Sequence, residues 1–179
     1  MAAENTAMEP SLEDLARERQ DRTSTRPVWR LCGLLFLCLA VGAVGSASTL
    51  PEIKGWYAGL IKPPFNPPNW IFGPVWTTLY VLMAVSIWRV WRSTHADALK
   101  TKVAFFVMLL LNAAWSPVFF TLHRPDLSLW IIYFYVGALA LLIRHLWRQD
   151  RLAAALQFPH LAWVLFATAL NSAITSLNK

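Results

Sequence analysis

Charge is what this chain lacks. Only 15% of its 179 residues are Asp, Glu, Lys or Arg, against about 25% in soluble domains. None of these lies in the central part of the five long apolar runs. Ionisable groups inside a membrane span usually mark pumps and proton relays, so their absence argues against a coupled transporter. It also argues against acid–base catalysis, because no carboxylate pair or buried base is available. A Ser-His-Asp arrangement, a phosphate loop and metal-ligand spacing are all missing. Cysteine is scarce too: Cys32 and Cys38 stand six apart on one helical run and do not share a face. They offer neither a disulfide framework nor a metal site. No internal repeat is visible, which leaves a two-fold repeated transporter architecture without support.

Apolar and aromatic residues fill the space that charge leaves. The chain is 56% hydrophobic and carries ten tryptophans. Roughly 20 apolar residues span a ~30 Å hydrocarbon layer. Five runs reach that length, at about 31–49, 69–91, 101–122, 127–147 and 152–177. They are continuous and do not alternate, which excludes a β-barrel. The expected fold class is an all-α integral membrane protein, a bundle of five transmembrane helices over 28–179. A polar, disordered tail is expected over 1–27 and a lid loop over 50–68.

The net charge of +6 is a topology signal. Arg17, Arg19, Arg22, Arg26 and Arg30 precede the first run. Arg89, Arg92, Lys100, Lys102, Arg144, Arg148 and Arg151 flank the second and fourth connections. The positive-inside rule then puts the N-terminus inside and the C-terminus outside. No basic face interleaved with aromatics exists, so nucleic acid is not an expected partner. The lipid bilayer is. A helical bundle favours a plasma or inner membrane, with an outer or organelle membrane as the alternative. Trp29, Trp88, Trp91, Trp130 and Trp147 sit near run ends, where tryptophan anchors to the interface.

Three tryptophans do not sit at run ends. Trp76 lies seven residues into the second run, about 10 Å below the surface. Trp115 lies at similar depth in the third run, and Trp163 near the middle of the fifth. Polar residues share their level: Thr77, Thr78, Asn112, Ser116, Asn171 and Ser172. Asn112, Trp115 and Phe119 follow i, i+3, i+7 spacing, and Trp163, Ala167 and Leu170 follow i, i+4, i+7. Two helix faces therefore offer aromatic planes and carboxamides in one half of the bilayer. The pattern fits a ligand pocket and fits interhelical packing equally well. His160, just after Pro159, is expected to bond a neighbouring helix, with haem ligation as a lesser alternative. No other metal ligand is expected.

The stretch KPPFNPPNWIFGPVWTTLY, 62–80, precedes and enters the second run. Pro63, Pro64, Pro67 and Pro68 fix φ and lack donors, so the loop is stiff. With its neighbours it carries a resemblance. WYAGLIKPPFNPPNWIFGPVWTTLY, LLNAAWSPVFF and FPHLAWVLFATALNSAITSLN stand in that order. Together they resemble the translocator protein / tryptophan-rich sensory protein (TspO) family over roughly 31–178.

The resemblance implies a five-helix bundle, commonly a homodimer, with a pocket below the first loop. It implies porphyrin or haem as ligand, with no obligatory cofactor, and sterols in animal relatives. Tyr57, Trp76, Asn112, Phe119, Trp163 and Ala167 match the family's pocket positions. With Phe72, Trp115, Leu170 and Asn171 they form the candidate ligand-binding set. Trp76 and Trp163 match the pair linked in some bacterial members to light-dependent porphyrin breakdown. An enzyme degrading porphyrin with light and oxygen is therefore an alternative to a receptor, sensor or carrier. Two positions depart from the family: His160 stands where tyrosine is usual, and no late tyrosine follows Phe166. The second lowers the expectation of a sterol carrier. In this reading the loop holds Tyr57 over a flat ligand, and Lys54, Lys62 or Arg124 meets its carboxylates. Two small-residue pairs, Ala169 with Ala173 and Gly42 with Ser46, could support a dimer.

Overall fold

The computed structural model describes Ser11 and residues 28–179. The expected polar tail otherwise lies outside the described residues. Every regular element among them is helical. Five helical segments are long and apolar enough to cross a membrane.

The order is simple. Helix α1 spans Val28–Thr49 and α2 is a single turn, Trp56–Gly59, inside the first loop. A 3₁₀ turn at Asn69–Ile71 leads into α3, Phe72–Val90. Helix α4 covers Ala98–Ser116 and α5 covers Pro125–Trp147. The last run holds two helices, α6 at Arg151–Ala155 and α7 at Phe158–Leu177. Backbone donors have no partner in hydrocarbon, so runs of this composition close their hydrogen bonds internally as helices.

Two irregularities depart from straight spans, and a proline accounts for each. Pro117 has no N–H, and its ring crowds the preceding turn. The end of α4 opens into a π turn, Pro117–Thr121, with the Leu122 amide donating to Pro117 O at 2.9 Å. That turn brings Phe119 and Phe120 inward together. Pro159 acts likewise in the fifth run, which was expected as one helix. The run breaks at Leu156–Gln157 and restarts with proline in its first turn. Asp150 caps the short α6, its Oδ1 accepting from the Leu152 and Ala153 amides at 3.0 Å.

The bundle closes around Phe105, Met83, Met108, Leu139, Leu142, Leu146 and Tyr135, all fully buried. Outward faces are apolar, as with Phe36, Leu110, Trp130 and Phe134. That is the inverse of a soluble surface and suits lipid. Close approach of α1 depends on small residues. A Cβ on Gly42 would lie 2.6 Å from the Tyr80 ring, and one on Gly45 would lie 3.3 Å from Ser116 Oγ. Gly42 thus faces α3 and Gly45 faces α4 within the chain.

The end opposite the first loop is tied by charge. Asp97 meets Arg148 Nη1 at 3.3 Å and Lys100 at 3.5 Å, with His145 at 3.7 Å. Burial alone would raise its carboxyl; the Arg148 hydrogen bond and the Lys100 and His145 charges win and lower it. Asp150 likewise titrates low against burial, held by the Ala153 amide and by Arg89 at 2.8 Å.

Candidate functional site

One cavity of about 410 Å³ lies between α1, α3, α4 and α7 beneath the first loop. This is the size of small-molecule sites. Helix α3 contributes Phe72 and Trp76, and α4 with its π turn contributes Asn112, Trp115 and Phe119. From α7 come Trp163, Ala167, Leu170 and Asn171, and the loop supplies Tyr57. All ten residues of the candidate set therefore line the same space.

Helical spacing and the π turn explain the convergence. Trp115 and Phe119 stack at 5.2 Å, because the wider turn after Pro117 keeps both rings on one side. Phe72 meets Trp163 edge to face at 5.8 Å across the α3–α7 seam. Trp76 leans on Tyr80 at 5.7 Å. The indole N–H of Trp163 is buried and has no hydrogen-bond partner among the described residues. A buried donor in that condition costs about 1–3 kcal/mol. The lining holds no Asp, Glu, Lys, Arg or His among the described residues.

The two carboxamides line the cavity and also join helices, so packing and pocket coincide. Asn112 Oδ1 accepts from Tyr80 Oη at 2.8 Å, and its Nδ2 donates to Tyr135 Oη at 2.9 Å. Asn171, with its oxygen turned to the Trp115 indole N–H at 3.3 Å, donates to Pro125 O at 3.1 Å. That amide bridges three helices and fixes the Trp115 ring.

His160 does not line the cavity. It is fully buried in the first turn of α7, with Nε2 2.5 Å from Tyr135 Oη and Nδ1 3.0 Å from Gln157 Oε1. Both ring nitrogens are engaged in hydrogen bonds within the bundle. The bond to a neighbouring helix is the one its position suggested.

The loop is folded on itself at one point and tied to the bundle at two. Tyr57 Oη donates to Asn66 Oδ1 at 3.0 Å, folding the proline stretch back over α2. Burial pushes the Tyr57 phenol up, so it stays a neutral donor. Asn178, at the end of α7, accepts from the Ile61 amide and donates to its carbonyl, both at 2.9 Å. Glu52 meets His123 at 3.0 Å, and Trp56 stacks on that imidazole at 4.4 Å. The cations expected to await carboxylates are partly committed. Lys62 Nζ donates to Leu60 O at 3.1 Å and sits 4.6 Å above the Tyr57 ring. Arg124 pairs with Asp126, whose hydrogen bond raises the guanidinium further. Lys54 is exposed.

Sequence reasoning missed the α1 wall. Leu39, Gly42, Ala43, Gly45, Ser46 and Thr49 line the cavity from that side. For Gly42, Ala43, Gly45 and Ser46 the only signal was small size, which equally signals helix packing; Leu39 looks like any apolar helix residue. Tyr80, Ser116, Phe120 and Ile174 were missed as lining as well.

Known proteins are similar to this chain in sequence. The family described as TspO/MBR matches residues 34–177. The tryptophan-rich protein TspO of Archaeoglobus fulgidus is 39% identical over 151 residues, covering 84% of this chain and 98% of that protein. The human translocator protein is 38% identical over 131 residues, 72% of this chain and 78% of its own length. Protein CrtK of Rhodobacter capsulatus is 36% identical, covering 79% and 88%. Five membrane-length helices, the tryptophan-lined cavity and these matches agree: this chain belongs to the TspO/MBR family.

Proposed function

We propose that this integral membrane protein is a receptor or carrier for a flat, apolar aromatic ligand of the porphyrin type, held in the cavity beneath the first loop. One observation carries the reading. Eight aromatic side chains, Tyr57, Phe72, Trp76, Tyr80, Trp115, Phe119, Phe120 and Trp163, converge on one space. Rings offer a macrocycle broad dispersion contact and edge-to-face packing. Propionates reach the loop end of the bundle, where Lys54 is exposed. The basic flanks support a topology with the N-terminus inside and the loop and cavity mouth outward, by the positive-inside rule. Homodimers form through an outward face such as the one bearing Ala169.

The test is a dark titration of purified protein in detergent with protoporphyrin IX, following tryptophan quenching and the porphyrin band. Saturable binding that weakens at least fivefold in Trp163→Phe is expected. Partitioning equal to empty micelles would reject the reading.

A second reading rests on the pair Trp76 and Trp163 lining one space with no acid or base beside them. A bound porphyrin would then be oxidised by dioxygen under illumination, the oxygen taking the electrons, with these indoles as redox or quenching partners. It requires a ring-opened product in the light that disappears in Trp76→Phe and Trp163→Phe. Bleaching at the rate of free porphyrin would count against it. A sterol in the same cavity would displace porphyrin in competition.

A further inference from the structure

Below the cavity a chain of hydrogen bonds crosses four helices. It runs Tyr80 on α3, Asn112 on α4, Tyr135 on α5, His160 on α7, and ends at Gln157 in the break between α6 and α7. Every member is less than a tenth exposed, and Gln157 and His160 are fully buried. Tyr80 and Asn112 also line the cavity, so the chain begins at its floor. We propose that His160 sets the direction of this chain and so makes the cavity floor a hydrogen-bond acceptor, selecting ligands that bury an N–H there. The inference rests on the ligand-binding reading above.

The direction follows from which atoms can donate. An amide oxygen only accepts, so Tyr80 gives its single proton to Asn112 Oδ1. An amide nitrogen only donates, so Tyr135 oxygen accepts from Asn112 Nδ2. The Tyr135 proton is then free for His160 Nε2. That nitrogen accepts, so the ring proton sits on Nδ1 and goes to Gln157 Oε1. The loose end is the Gln157 Nε2 amino group, which has no hydrogen-bond partner among the described residues.

The consequence appears at the floor. Tyr80 has one proton and it is turned to Asn112, so only oxygen lone pairs remain for a ligand. Reversing the chain would require every member to exchange roles at once, with His160 in the Nε2–H form. Hydrogen bonds in such a chain polarise one another, which favours one concerted direction. His160 is thus a positioning residue, acting on the ligand through Tyr135, Asn112 and Tyr80. Phenylalanine at 160 would leave Tyr135 without its acceptor and free to donate to Asn112, letting the floor turn over.

The test has two arms. The first is ¹⁵N NMR of histidine-labelled wild-type protein, with the His160 signals identified by their loss in His160→Gln. A neutral Nδ1–H tautomer is expected; an Nε2–H tautomer would reverse the chain and overturn the proposal. The second arm compares carbazole with dibenzofuran, tricycles of one shape that differ in an N–H donor. Carbazole should bind about fivefold tighter, the worth of one ordinary hydrogen bond. That preference should vanish in Tyr80→Phe, and also in His160→Phe where Tyr80 is intact. Equal saturable affinity for the two probes in the wild type overturns the proposal and leaves the cavity reading standing. No saturable binding of either would overturn both. If His160→Phe fails to fold, the tautomer alone decides.

Discussion

At Gly42 a single methyl group decides whether α1 can close on the cavity floor. A Cβ there would stand 2.6 Å from Tyr80 Cε2, and the ring cannot retreat without stretching its 2.8 Å bond to Asn112. Gly42→Ala should therefore cost about 1–3 kcal/mol, the usual range for overpacking. A lowered Tm in detergent would show it. In a Tyr80→Ala background the same change should be nearly silent, because the two sites share one contact. Equal losses in both backgrounds would mean that Gly42 acts elsewhere. Tyr57→Phe removes the phenol that ties the loop to Asn66. It should speed porphyrin dissociation severalfold, with association little changed, read by stopped-flow fluorescence. At this scale legibility was uneven. Trp76, Trp115, Trp163 and Asn112 announced themselves, since large rings and amides are unusual at helical spacing inside an apolar run. Gly42 and Ser46 did not, because a small residue looks the same facing a cavity, a neighbouring helix or another copy. The Tyr135–His160 bond was half legible: His160 suggested an interhelical partner, but nothing local names a tyrosine 25 residues away.

Among the elements, the irregular turns do the positioning. The π turn after Pro117 aims Phe119 and Phe120 inward, and the break before Pro159 lets Gln157 meet His160. Prolines in the sequence mark both places. A run of suitable length was nonetheless read as one span, since composition measures apolar length and is blind to the hydrogen-bond ladder. Pro117→Ala should relax the turn to regular helix and rotate Phe119 off the Trp115 face, weakening ligand binding more than it lowers Tm. At the ends of α3, α4 and α6, carboxylates pair with cations, and Asp150 also caps α6. Asp97 and Asp150 both titrate below the ordinary value of 3.8 in the folded protein. Folding therefore favours their ionised forms. That stabilisation is fully present above pH of about 4 and is lost as pH falls through the depressed values. Melting in detergent should show an acid-side decline beginning below about pH 4. The double variant Asp97→Asn, Asp150→Asn should be less stable at neutral pH and show a shallower decline. An unchanged acid limb would place the titration on other groups.

Considered whole, the molecule is a bundle whose polar chemistry is enclosed and whose outside is apolar. The five spans were legible because a ~30 Å hydrocarbon layer imposes a length and a composition that few other constraints mimic. The cavity was legible only as two aromatic faces. Its third wall, α1, and its floor depend on how helices cross, which no single run encodes. The account's central claim is that the ligand sits among Trp76, Trp115 and Trp163. The most direct measurement is ¹⁹F NMR of protein labelled with 5-fluorotryptophan, titrated in the dark with protoporphyrin IX. Single Trp→Phe variants assign the ten resonances. The account predicts saturable shifts at Trp76, Trp115 and Trp163, with the outward-facing Trp29 and Trp130 unmoved. Shifts confined to the outward-facing tryptophans, rising without saturation, would contradict it and leave the inner rings as packing alone.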